Sequence, residues 1–89
     1  MTVTCIGTSS CIPDVGREMA TVLVDGRHLL DAGWSAVLKM REFGFDPLAL
    51  ETVLITHFHQ DHYLGLPPLL FYLGLRRPGR PLTVAGAAE

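Results

Sequence analysis

The chain reads as an α/β domain. Five short β-type runs alternate with two strongly apolar helical segments, the connections carry the residues that tight turns require, and the order strand, hairpin, helix, strand, helix, strand places α and β elements in layers. Residues 2–6 alternate in the β manner and stop at Gly7, after which residues 7–16 are loop chemistry throughout. Cys5, within that strand, is expected to be a small buried side chain. Residues 19–24 and 28–32 are two β-type runs joined across Asp25-Gly26, a dipeptide that tolerates positive φ and therefore predicts a hairpin.

Residues 34–43 are helical in pattern, with Ser35, Lys39 and Glu42 on one narrow polar stripe and Trp34, Ala36, Val37, Leu38, Met40 and Phe43 over the rest of the circumference. Such a helix should be covered on more than one face, and Gly44 is placed to end it. Asp46-Pro47 reads as an N-cap followed by proline at the first helical position, opening one short turn through Leu50. Residues 52–56 form a β-branched run that reads as a buried strand and delivers His57 at its end. Residues 66–75 open with prolines and continue apolar all round, which implies burial on every side, and 81–85 form a last strand. Arg76, Arg77 and Arg80, interleaved with prolines and Gly79, read as a solvated turn.

Composition narrows the function classes. Charged residues make up only 18% of the 89, below a usual figure of roughly 25%. A domain this small has proportionally more surface and should be more polar than average, so part of its apolar surface expects a partner. The chain is thus read as one incomplete domain over residues 1–89, poorly stable or self-associating alone. A net charge of −2 calls for neither a polyanion nor an acidic membrane. No apolar run reaches the length of about 18 residues that a span needs. Two cysteines make no disulfide framework, so a reducing, cytoplasmic setting is expected.

The chemistry is concentrated in His57-Phe-His59-Gln-Asp61-His62, which holds three of the four histidines. Imidazole nitrogen and carboxylate oxygen suit zinc and similar divalent ions. On a helix His57 and His59 would point about 200° apart, whereas alternate residues of an extended stretch share a side and can converge as the strand runs out. Asp61 and His62 join them only if the chain turns into the next helix. Four ligands this close fit two neighbouring ions better than one tetrahedral ion, and paired metals suit hydrolysis. The competing readings are a polar surface loop or a non-catalytic site with one metal. Thr8, Ser9 and Ser10 could contact a phosphate or simply form a turn.

Thr56-His57-x-His59-x-Asp61-His62, followed by Gly65-Leu66-Pro67, resembles the metal signature of the metallo-β-lactamase superfamily. The glycine-rich stretch from Gly7 to Pro13 and the strand-ending Asp31-Ala-Gly33 are similar to its other blocks, and their order is most similar to the ribonuclease Z branch. The resemblance implies a four-layer αββα sandwich, of which this chain would be the N-terminal half, and a hydrolase that attacks a phosphodiester with a metal-bound hydroxide. By that pattern His57 and His59 would hold one zinc, and Asp61 and His62 the second, with Asp61 also orienting the nucleophile. Asp31 would support the metal loop from behind; read without the family, it is a turn or cap residue before Trp34. Manganese or iron could replace zinc. The implied partners are the missing C-terminal half, RNA or another phosphodiester, and a second copy in the complete protein, with no membrane.

Two departures bear on this. After His62 the chain has no His or Asp, and its only later carboxylate side chain is Glu89, whereas the family completes its site with downstream ligands. Gln60 stands where ribonuclease Z often has Gly. A superfamily hydrolase acting on a lactone, thioester or β-lactam, or a metal-binding module without catalysis, is the alternative.

Overall fold

The computed structural model describes residues 1–7, 21–56 and 60–86. Its five strands form one mixed sheet in chain order: β1 (Val3–Gly7), β2 (Thr21–Val24), β3 (His28–Leu30), β4 (Thr52–Ile55) and β5 (Thr83–Gly86). The first three run antiparallel to their neighbours, while β3, β4 and β5 are parallel. Parallel neighbours need crossovers. The first is α1 (Ala36–Glu42) with a 3₁₀ turn at Pro47–Ala49, and the second passes through α2 (Gln60–Tyr63) and α3 (Leu66–Arg76).

The turn chemistry is local and matches expectation. Asp25 and Gly26 both have positive φ, 54° and 69°, and the Arg27 N–H donates to Val24 O at 3.1 Å, which is the hairpin turn compatible with strand twist. Gly44, at φ 83°, ends α1. The Gly44 N–H donates to Arg41 O and the Phe45 N–H to Met40 O, so the last carbonyls of the helix are satisfied. Asp46 caps the 3₁₀ turn, its Oδ1 accepting from the Leu48 N–H at 2.9 Å with Pro47 next in line.

Burial alternates along the strands, so the sheet has two unlike faces. Ile6, Leu23, Leu29, Val53 and Ile55 are buried against Ala36, Met40, Leu50, Leu69 and Leu73 in one core. The opposite face carries Val22, Val24, Leu30 and Leu54, none of them fully buried. Two layers, one helical and one of sheet, are therefore present, and the second face of the sheet is apolar and uncovered by the described residues.

Three expectations about apolar side chains are corrected. Cys5 is exposed: it pairs with Val22 on the open face, and Ile6 is the residue that points into the core. The segment 66–75 is buried on one stripe only. Leu69 and Leu73, four residues apart, face the sheet, whereas Phe71 and Leu75 are 70% and 66% exposed. The helix in 34–43 begins at Ala36 and buries Ala36 and Met40, leaving Trp34 and Leu38 more than half exposed. Both helices pack into this core, against each other and against the 3₁₀ turn, while Trp34, Leu38, Phe71 and Leu75 face outward.

Arg77 departs from the solvated turn expected around it. It is buried, and its Nη1 donates to Leu50 O at 2.6 Å and Leu48 O at 3.0 Å, tying the end of α3 to the turn before β4. Among the described residues its Nε and Nη2 find no partner. Burial, and then the adjacent Arg80, lower its pKa from the ordinary arginine value.

Candidate functional site

The strands β3 and β4 are parallel neighbours, so their carboxyl ends lie side by side. Asp31 follows the first and Thr56 the second. Ligand-binding residues collect at such ends in open α/β sheets, because the chain leaves the ladder there and its side chains are released from strand packing. The Asp31 N–H still donates to Leu54 O at 2.8 Å, which continues the parallel ladder by one step. Asp31 then takes φ 62°, a region few non-glycine residues occupy and in which Asp is enriched.

That backbone reversal accompanies a carboxylate with three donors around it. The Thr56 N–H donates to Oδ1 at 2.8 Å, the Thr56 hydroxyl lies 2.8 Å from Oδ2 and 3.1 Å from Oδ1, and His62 Nδ1 is 2.8 Å from Oδ2. Asp31 is 7% exposed, and burial of a carboxylate without such partners would cost several kcal/mol. Because a carboxylate accepts, Nδ1 carries the proton in this contact, and Nε2 is directed away from Asp31. One side chain thus fixes the residue that precedes His57 and the orientation of the His62 ring.

A second set of bonds holds the Asp31 loop against the helices. The Ala32 N–H donates to His62 O at 2.8 Å and the Gly65 N–H to Ala32 O at 2.9 Å. Gly65 is required there: a Cβ at that position would overlap Gly33 O and lie 3.1 Å from Gly33 C. From the other side the Gly33 N–H donates to Thr21 Oγ1 at 2.8 Å, and Thr21 is wholly buried. Sequence reasoning missed Thr21; its only signal is a hydroxyl residue within an apolar strand run.

Of the candidate ligands, Asp61 sits in α2 and His62 follows it, so the turn into a helix that their spacing demands is present. His57 and His59 lie outside the described residues, as does the Asp61 side chain. Thr8, Ser9 and Ser10 also fall outside them. Among the described residues no three metal-ligating side chains converge. The donor chemistry nevertheless fits a divalent cation: a carboxylate that holds Nδ1 of an imidazole is the usual support for a ring that ligates through Nε2.

Comparisons with known proteins bear on the fold. Ribonuclease Z of Aeropyrum pernix is 32% identical over 91 residues, covering 98% of this chain and 29% of that protein. The crystal structure of human tRNase Z, short form, superposes with a TM-score of 0.81 at 28% identity, over 92% of this chain and 33% of its own. The metallo-β-lactamase fold protein YhfI of Bacillus subtilis superposes with a TM-score of 0.78 at 23% identity, over 94% of this chain and 37% of its own, and shows the fold. The chain spans less than a third of the curated relative it matches. The fold and these similarities define an α/β protein of the metallo-β-lactamase superfamily, related to ribonuclease Z. A family model described as "Anti-Pycsar protein Apyc1" matches residues 1–83, and the chain belongs to that family.

Proposed function

We propose that this chain is the N-terminal part of a metal-dependent hydrolase that cleaves phosphodiesters, with His57, His59, Asp61 and His62 as its share of the metal ligands. The observation that carries the reading is the Asp31 carboxylate, which holds Thr56 and His62 together at the carboxyl ends of two parallel strands. Divalent ions bound by these donors would supply Lewis acidity, drawing charge from a phosphoryl oxygen and acidifying water. The chain's own contribution is positional. Asp31 keeps His62 in one tautomer and one orientation, Thr56 fixes the strand exit that leads into His57, and Asp61 would orient the attacking water. The relationship to ribonuclease Z supports a phosphodiester and makes RNA the first substrate to try.

The test uses protein expressed from its full coding sequence. An aryl phosphodiester, a precursor tRNA with a 3′ trailer, a lactone and a β-lactam are assayed with and without chelator, in the unaltered protein and in Asp61→Ala. Phosphodiester cleavage is expected to require metal and to fall by more than about 10²-fold in kcat in the variant. Cleavage confined to the lactone or β-lactam would remove the phosphodiester assignment. Chelator-insensitive turnover undiminished in Asp61→Ala would overturn the metallohydrolase itself.

A further inference from the structure

The opposite end of the sheet holds a second feature. Before β4 the chain makes the capped turn at Pro47–Ala49, and α3 ends beside it. A groove of about 390 Å³ opens there, with Arg41, Gly44, Asp46, Leu48, Tyr72 and Arg76 in its wall. Both Arg41 and Arg76 are exposed, and each guanidinium carbon lies 5.9 Å from the centre of the Tyr72 ring. A guanidinium held by an aromatic ring is oriented while its N–H groups stay uncommitted. Among the described residues, the Lys and Arg ion pairs join Arg27 to Glu51 and Lys39 to Glu42, and neither Arg41 nor Arg76 takes part in one.

The positive charge is not confined to these two. Nη1 of Arg77 and of Arg80 both reach Leu48 O, at 3.0 and 3.3 Å, so four guanidiniums surround one turn. Among the described residues Asp46 is the one carboxylate in the groove wall, and its Oδ1 is engaged by the Leu48 N–H. In a chain of net charge −2 this concentration of cations is a local departure from the average. The 11 residues of α3 separate the groove from Gly65 and the Asp31 loop, a distance of about 16 Å at 1.5 Å per residue.

We infer that Arg41 and Arg76, set by Tyr72, form an anion site for a phosphate group of a ligand, distinct from the site at Asp31. Planar guanidiniums engage phosphate through paired N–H···O bonds, and a phosphate can bridge two of them through its non-bridging oxygens. The phosphate can come from a polynucleotide strand or from a small phosphorylated molecule, and the two sources separate by experiment.

Protein from the full coding sequence is titrated with inorganic phosphate and with a labelled, phosphorothioate-substituted RNA decamer, at two salt concentrations. The variants are Arg41→Gln with Arg76→Gln together, and Arg76→Lys alone, each checked for an unchanged melting curve. The double variant is expected to weaken binding by about tenfold or more, with a shallower salt dependence because fewer counterions are released. Arg76→Lys keeps charge and loses the fork, so it falls between. If only decamer binding responds, the source is a strand; if inorganic phosphate responds equally, it is a small ligand. Failure of the unaltered protein to bind either probe, or binding indifferent to the double variant, overturns the site, as does a structure in which a carboxylate of the same protein fills the groove.

Discussion

The two ends of the sheet are each closed by one buried ionic side chain, and the two are built differently. At the carboxyl end, Asp31 is surrounded by the Thr56 N–H, the Thr56 hydroxyl and His62 Nδ1. At the amino end, Arg77 donates through Nη1 to two carbonyls, and its Nε and Nη2 find no partner among the described residues. A satisfied buried charge holds its neighbours in one arrangement, whereas an incompletely satisfied one carries a desolvation cost that its bonds only partly offset. The candidate active site therefore sits on the better determined of the two.

The largest effect expected from this contrast is at Asp31. Asp31→Ala removes the acceptor shared by three part-buried donors and places alanine at φ 62°, and should cost about 3 kcal/mol in denaturant unfolding. Asp31→Asn separates the causes, because asparagine accepts positive φ and retains one acceptor oxygen. It should lose about half as much. Equal losses in the two variants would mean that the full carboxylate and its donors, and not backbone geometry, set the value of the residue.

Gly65→Ala probes the same end without touching charge. Its φ of −79° suits any residue, so the substitution acts only through the overlap of a Cβ with the Gly33 backbone. Because the obstacle is main chain and not the tip of a flexible side chain, α3 must move away from the Asp31 loop. A loss of about 2–3 kcal/mol is expected, together with weakened amide-exchange protection at Ala32 and Gly65, whose N–H groups donate across that contact. Normal protection there would show that the close approach is dispensable.

How far each end was legible follows from sequence distance. Asp25-Gly26, Gly44 and Asp46-Pro47 announce their turns because the groups they satisfy are within a few residues. Asp31 could be picked out only by resemblance, since its partners Thr56 and His62 lie 25 and 31 positions away. Arg77 was read as solvated for the same reason: its acceptors are 27 and 29 positions back, and Pro-Gly context described the turn and not what the turn rests on. The Cys5 error has another source. β1 offers Val3 and Cys5 on one face and Ile6 on the other, and a strand with apolar residues on both sides does not state which face meets helices. The exposed Phe71 and Leu75 belong to the same class: apolarity was legible, and the element that would cover it was not.

The smallest effect should be at Arg77, and it is the sharpest test of the contrast. Arg77→Met keeps an unbranched chain of similar reach, removes the desolvated charge and the two unpartnered nitrogens, and forfeits the bonds to Leu48 O and Leu50 O. Leu48 O retains Arg80 Nη1 at 3.3 Å, so only Leu50 O loses its guanidinium donor outright. Buried ionic groups replaced by well-packed apolar ones are often neutral or stabilising, and one lost hydrogen bond is worth about 1 kcal/mol. The two terms should nearly cancel, leaving the unfolding free energy within about 1 kcal/mol of the parent. A loss of about 3 kcal/mol or more would mean that Nε and Nη2 have partners in the folded protein, and that Arg77 is as fully satisfied as Asp31. The difference between the two ends of the sheet would then disappear.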